Sequence, residues 1–349
     1  MTEFLLRLIE PSDGPAIDTL MRNEALATSL AISTHYHVDV YQALMSQHPT
    51  LFGVVATAPG ADGLAGVATA FTDQVRIGGQ AYPSAHLENL KVRHEFRRQG
   101  LGRRLAEWRI AEADRRFGGE GVIATEIEAS NTASLATARS WSTQVVGPVQ
   151  FVIAPTLMKP PKPTGVVVRP LEDRDVEAVV EGVNAFHESF DLYPPQTAAS
   201  LTAQQAPTPL GEPIRQYRVA VDPEGSIVAG ALVNERFKLM ADHVEQVPRP
   251  LELLNKVARV FPEDGVIRQI ELTLAWHARD RMAAARQLWE AVRYEWRDRA
   301  THVACETDPR GSLFGAFHVG FTLIPKIQLM IPVRSPVPVD PKRLVYYWR

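Results

Sequence analysis

Cysteine occurs once in the 349 residues, at Cys305, so no disulfide can form within the chain and no thiolate cluster can hold zinc. A reducing, cytoplasmic setting is the expectation. No apolar run approaches the roughly 20 residues needed to span a bilayer. The start, Met1-Thr2-Glu3-Phe4, places no basic segment before its short apolar stretch, so a secretory signal is not expected either. An excess of one charge is also missing. The formal net charge is −3, which gives no reason to expect nucleic acid or a membrane as partner.

What is present is an ordinary globular composition, 45% hydrophobic and 22% charged, enough to build full cores. The length suggests two domains. Lys159-Pro160-Pro161-Lys162-Pro163-Thr164-Gly165 reads as an extended linker, because closely spaced prolines forbid a helix interior. The chain repeats itself on either side. Arg7-Leu8-Ile9-Glu10-Pro11-Ser12-Asp13 matches Arg169-Pro170-Leu171-Glu172-Asp173-Arg174-Asp175 in the pattern Arg-x-apolar-Glu-x-x-Asp. Leu64–Ala68 matches Val228–Leu232, and Leu87-Glu88-Asn89-Leu90 matches Ile270-Glu271-Leu272-Thr273. The growing offset implies an insertion in the second copy, where 251–261 has helical spacing. Each copy reads as strand, helix, helix, three strands, helix, strand, helix, strand. The expected class is α/β (mixed α+β), with two tandem domains, each a largely antiparallel central sheet flanked by helices.

Chemistry concentrates between Leu87 and Leu105, a strand, a basic loop, a glycine pair and a helix spanning about Leu101 to Phe117. A helix N-terminus leaves backbone N–H groups unpaired and partly positive. Glycine lets an anion approach them, and Arg97, Arg98 and Arg103 add charge. Gly102 is followed by Arg103, which excludes a Walker loop. Leu105 stands where a dinucleotide fingerprint needs its third glycine.

The stretch resembles the acetyl-CoA motif of the GNAT superfamily of N-acetyltransferases. Arg97-Arg98-Gln99-Gly100-Leu101-Gly102 matches that family's Arg/Gln-x-x-Gly-x-Gly/Ala, after a strand ending Leu90-Lys91-Val92. The resemblance implies that backbone N–H groups from about Arg98 to Arg103 hold the pyrophosphate of coenzyme A. It implies that Leu90 and Val92 pair with pantetheine in a V-shaped gap between the fourth and fifth strands. Asn131 occupies the family's pantetheine-contacting position, and as a residue type it equally suits a helix N-cap. Glu88 is the candidate general base, and as a residue type it equally suits a strand-end or substrate-binding carboxylate; Glu126 and Glu128 stand behind it. The family's general-acid Tyr is replaced by Ala138.

The expected donor is acetyl-CoA, with no metal. The acceptor is a small-molecule or peptide amine. The alternative is a non-catalytic acyl-CoA-binding or scaffold protein. His35-x-His37-x-Asp39 is read as polar loop chemistry and not as a metal site, and Arg109, Arg115 and Arg116 as a solvated helix face. The second copy is read as degenerate, since Ala275 to Ala285 has no glycine pair and Asp280 brings negative charge. Asp308 is expected near the Asn131 counterpart, and Gly320-Phe321 keeps a family-like ending. The expected domains are 1–158 (cofactor-binding), a linker at 159–165, a degenerate copy at 166–334 and an aromatic tail at 335–349. The two copies are expected to pack across an apolar interface, as an internal pseudo-dimer in a monomer.

Overall fold

The computed structural model describes residues 3–23, 26–27, 31–246, 262–317 and 327–347. Among the described residues, one sheet of thirteen strand segments, two of them joined as β5 below, runs through both halves of the chain. The first half supplies β1 (Leu5–Leu8), β2 (Phe52–Thr57), β3 (Gly66–Ile77), β4 (Gln80–Val92), β5 (Val122–Thr125, continued by Ile127–Glu128) and β6 (Gln144–Pro155). The second supplies β7 (Val167–Pro170), β8 (Arg215–Val221), β9 (Ile227–Asn234), β10 (Gln269–His277), β11 (His302–Thr307) and β12 (Ile327–Arg334). Helices α1 (Gly14–Asn23), α2 (Val40–Gln47), α3 (Leu101–Phe117) and α4 (Thr132–Arg139) belong to the first half. Helices α5 (Val176–Phe186), α6 (Ala198–Gln204), α7 (Met282–Glu295) and α8 (Ser312–Phe317) belong to the second. Both halves thus follow the element order read from the sequence, and the fold is mixed α/β. The parallel pairs described in the large sheet are β4 with β5 and β10 with β11.

The first repeated motif has a physical cause. Arg7 donates to both carboxylate oxygens of Asp13, at 2.8 and 2.6 Å, and the Glu10 amide donates to the same Asp13. Arg169, Glu172 and Asp175 repeat this arrangement. The buried aspartate clamps each opening strand to the turn that starts the next helix, which is why Arg and Asp recur at that spacing. Asp13 is held below the ordinary carboxylate range mainly by the Arg7 hydrogen bonds.

The sheet is covered on both faces, so strands such as β2 and β9 are buried along nearly their whole length. α1 and α2 pack Ile17, Leu20, Val40 and Leu44 on Val55 and Val67. α3 packs Leu101 and Leu105, four residues apart on one helix face, on Val54 and Ala68.

The strand order is β1-β2-β3-β4-β5-β12-β6-β11-β10-β9-β8-β7. Each half's last strand therefore lies beside the other half's fifth strand. β12 pairs with β5 and β6, while β6 pairs with β11. The expected apolar packing is present: Val75, Val122, Ala124 and Val149 cluster with Leu329, Ile331, Val345 and Tyr347. The strand exchange goes further, because backbone ladders now join the halves. A second, four-stranded sheet also joins them, with Ala31–Tyr36 antiparallel to Met240–Gln246.

The helix expected at 251–261, the Gly320-Phe321 pair and the last two tail residues lie outside the described residues. No helix among the described residues is long and apolar enough to cross a membrane.

Candidate active site

β4 and β5 pair in parallel from Ser84/Val122 to Leu87/Thr125, and the Thr125 hydroxyl donates to the Leu87 carbonyl at 2.8 Å. Beyond that point they part. Ile127 and Glu128 pair with β12 instead, which leaves a V-shaped opening beside Glu88 to Val92. On its other edge β4 carries a bulge. Thr69 faces Glu88 and Val67 faces Lys91, so Asn89 and Leu90 stand opposite a single residue. Asn89 takes φ +49° there. Arg109, reaching up from α3, donates Nη1 to the carbonyls of Thr69 (2.9 Å) and Glu88 (2.7 Å). Arg109 is thus buried, and the solvated-face reading fails for it: its helix position points at the sheet. Arg115 and Arg116 do lie on the outer face, both bonded to Glu112.

Glu88 is half-buried, its Oε2 standing 3.7 Å from His48 Nε2 at the end of α2. A stack of rings backs this contact. His48 lies flat on Phe71 (3.7 Å between centroids), Phe71 on His86 (4.8 Å), and His86 touches Tyr347 (5.5 Å). Burial, with Arg215 and His86 adding to it, pushes the His48 pKa well below the usual value. Burial alone lowers His86 to about 4. Both imidazoles are neutral near pH 7. His48 and Tyr347 carry no sequence motif; their only signal is aromatic type, and their closeness to Glu88 arises from the fold.

The basic loop leaves β4 through a short turn at His94–Phe96 and enters α3 at Leu101. Gly100 caps the helix at φ +81° without a side-chain cap, and a Cβ there would meet nothing within 4 Å. Arg97, Arg98, Gln99 and Gly100 are exposed, as is Arg103, which pairs with Glu107. The α3 N-terminus therefore presents backbone N–H groups to an open cradle. Leu90 is exposed beside it and Lys91 and Val92 are partly so, with Gly102 packed near Leu90 and Val92.

Asn131 caps α4, accepting from the Ser134 amide at 3.1 Å. Ala138 is buried in that helix and offers no hydroxyl. Glu126 interrupts β5, and Glu128 accepts from Ser130. His35 stacks on His243 at 3.9 Å, while Asp39 caps α2 through the Gln42 amide. His35 and Asp39 are thus engaged separately.

The second copy keeps the splay: β10 and β11 pair only from Gln269/His302 to Leu272/Cys305. Its bulge follows Thr273, with Leu274 at φ +47°. Glu88 is therefore equivalent to Thr273, and Glu271 to His86, a two-residue correction to the sequence match, which ran across the bulge. The same ladders make Asp308 the counterpart of Glu128 and Gly311 the counterpart of Asn131, and the Gly311 amide donates to the Asp308 carbonyl at 2.9 Å, so Asp308 does lie near the Asn131 position. Only Ala278 to Arg281 separate β10 from α7, with Asp280 at φ +60° and no glycine.

The tail fills this second cleft. The Leu274 amide donates to the Tyr346 hydroxyl at 2.9 Å, and the Val345 amide to Asp308. What remains is a cavity of about 40 Å³ among Leu272, Ala275, Cys305 and Tyr346, too small for a pantetheine arm.

Residues 19–140 match the model of the acetyltransferase (GNAT) family. A comparison with curated proteins finds no match. Among solved structures, a GCN5-related N-acetyltransferase from Sphaerobacter thermophilus is similar over 97% of both chains, with 19% identity and a TM-score of 0.59. Saccharomyces cerevisiae N-myristoyltransferase with bound myristoyl-CoA is similar over 99% of this chain and 88% of that one, with 12% identity and a TM-score of 0.63. These likenesses carry the fold across the full length, and the family match carries the first copy. The first copy thus carries a match to the GNAT acetyltransferase family, which supports an acyltransferase, and the solved structures show the shared fold.

Proposed function

We propose that the first copy binds acetyl-CoA and transfers its acetyl group to a primary amine by direct attack on the thioester. The observation that carries this reading is the contrast between the two clefts. In the first, an uncapped α3 N-terminus with Gly100 in the left-handed region opens beside the splayed β4. In the second, Tyr346 holds the corresponding bulge amide. A phosphate needs unpaired N–H donors and no Cβ in its path, and Arg98 to Arg103 supply both. Asn131 adds its side chain at the pantetheine arm.

The chain's own residues then divide the work. Leu90 and Val92 hold the pantetheine amides by backbone pairing, with Lys91 between them. Backbone N–H groups near the bulge polarise the thioester carbonyl. Glu88, or a water on it, takes the proton of the attacking amine, since an ammonium has no lone pair. The neutral His48 and the ring stack fix the wall behind Glu88. The acceptor is a small-molecule or peptide amine, and the setting is cytoplasmic. The N-myristoyltransferase likeness makes longer acyl chains worth including in assays.

Calorimetry with coenzyme A, followed by free-thiol release from acetyl-CoA across a panel of amines, tests the reading. One binding site per chain and amine-dependent thiol release support it. Binding without release under any amine favours a non-catalytic acyl-CoA-binding protein, the reading that Ala138 supports.

A further inference from the structure

Arg109 stands at the throat of the splay. Its Nη1 bonds the carbonyl of Glu88, the first residue of β4 past the last β4/β5 pair. The residue is 4% exposed. Its Nε is buried with no hydrogen-bond partner among the described residues. No ion pair to it is found among the described residues, and its close partners are the carbonyls of Thr69 and Glu88. A buried guanidinium hydrogen-bonded only to neutral acceptors is costly, and burial lowers this one to about 9 even though the nearby Glu88 and Tyr347 act in the opposite sense. Two carbonyls could be satisfied more cheaply by a neutral amide such as Gln. A permanent cation at this point suits a site where negative charge appears.

Resting on the acyl-CoA reading above, we propose that Arg109 stabilises the thiolate of coenzyme A as the acyl group departs, the task left open by Ala138. The amine nitrogen forms the new C–N bond and its proton passes to Glu88. The C–S bond breaks and its electron pair goes to sulfur. The Arg109 guanidinium stays protonated throughout and offsets that new charge, so no proton donor is required at the sulfur. An arginine suits this role because it keeps its charge even when desolvated.

The test is the titration of the bound thiol, read by thiolate ultraviolet absorbance on the full chain saturated with coenzyme A. Binding of desulfo-coenzyme A, which has no sulfur, is measured beside it. In the wild type the bound thiol should titrate about one unit or more below the free thiol. Arg109→Gln should abolish that shift and cut turnover by about 10²–10³-fold, the usual scale for losing one oxyanion-type contact. Its desulfo-coenzyme A affinity should stay within about threefold, as expected for a contact made only when charge develops. Arg109→Lys should restore part of the shift. An unshifted thiol in the wild type overturns the assignment whatever the variants do. An equal shift in wild type and Arg109→Gln also overturns it, leaving Arg109 as a brace for the bulge. If the wild type binds neither ligand, the acyl-CoA reading itself falls and takes this assignment with it.

Discussion

The Glu88 carboxylate faces a histidine that carries no charge: His48 Nε2 lies 3.7 Å away, fully buried between α2 and Phe71. The contact therefore adds no cation that would weaken Glu88 as a base. Glu88→Gln should lower turnover by about 10²–10⁴-fold, the range of general-base catalysis. Coenzyme A affinity should barely change. Steady-state rates across pH, set beside calorimetry, check this; a variant whose pH–rate profile matches the wild type would remove Glu88 from the mechanism.

Gly100 is the second point of test. At φ +81° any side chain is strained, by about 1–2 kcal/mol for an ordinary residue. Gly100→Asp also puts a carboxylate where the pyrophosphate is proposed to lie. Coenzyme A binding should disappear while the thermal midpoint moves by only a few degrees. The wild type should titrate with one equivalent per chain, because Tyr346 already occupies the second cleft. Two equal sites in calorimetry would contradict this account of the tail.

The buried histidines set a pH dependence of stability. His86 falls from 6.5 in the unfolded chain to about 4 in the fold, and His48 shifts the same way. Between those values the unfolded chain binds more protons than the native one. Stability is therefore full above about pH 6.5 and is lost as pH drops toward 4, by on the order of 3 kcal/mol for His86 alone. Urea midpoints at several pH values should show this fall. His86→Phe, which keeps the ring stack, should flatten it; an unchanged slope would show that His86 is not buried neutral.

Strand exchange makes a prediction about fragments. Residues 1–158 alone would leave β5 and β6 without β12 between them, and β6 without β11. Open ladder edges and the apolar residues around Val122 and Val149 would then meet water. The fragment should aggregate or lose activity, and should regain activity with residues 159–349 supplied in trans. A fragment that is monomeric and as active as the full chain would show that the exchanged strands are dispensable.

Much of this was legible beforehand, for local reasons. The element order followed from apolar periodicity and turn residues. The cradle followed from Gly100, Gly102 and the arginines, because phosphate binding at a helix start uses backbone that one short segment supplies. The Arg-to-Asp repeat was readable because both partners of each clamp lie six residues apart.

Other features depend on residues far apart in the chain. Arg109 looked like one more arginine on a basic helix; only the packing of α3 under the bulge decides that it is buried. The sequence match ran two residues out of register, since a shift of two along a strand keeps the alternating pattern on the same faces while changing which side chain meets which. Tyr346 meets Leu274, and Tyr347 meets His86, only because the tail folds back over both halves. The exchange of β6 and β12 could not be read either. Either pairing buries the same apolar faces, and the choice rests on backbone ladders that any sequence of that pattern can form. Local chemistry was therefore fixed by short segments of sequence, and the joining of the two copies into one sheet was decided by tertiary structure.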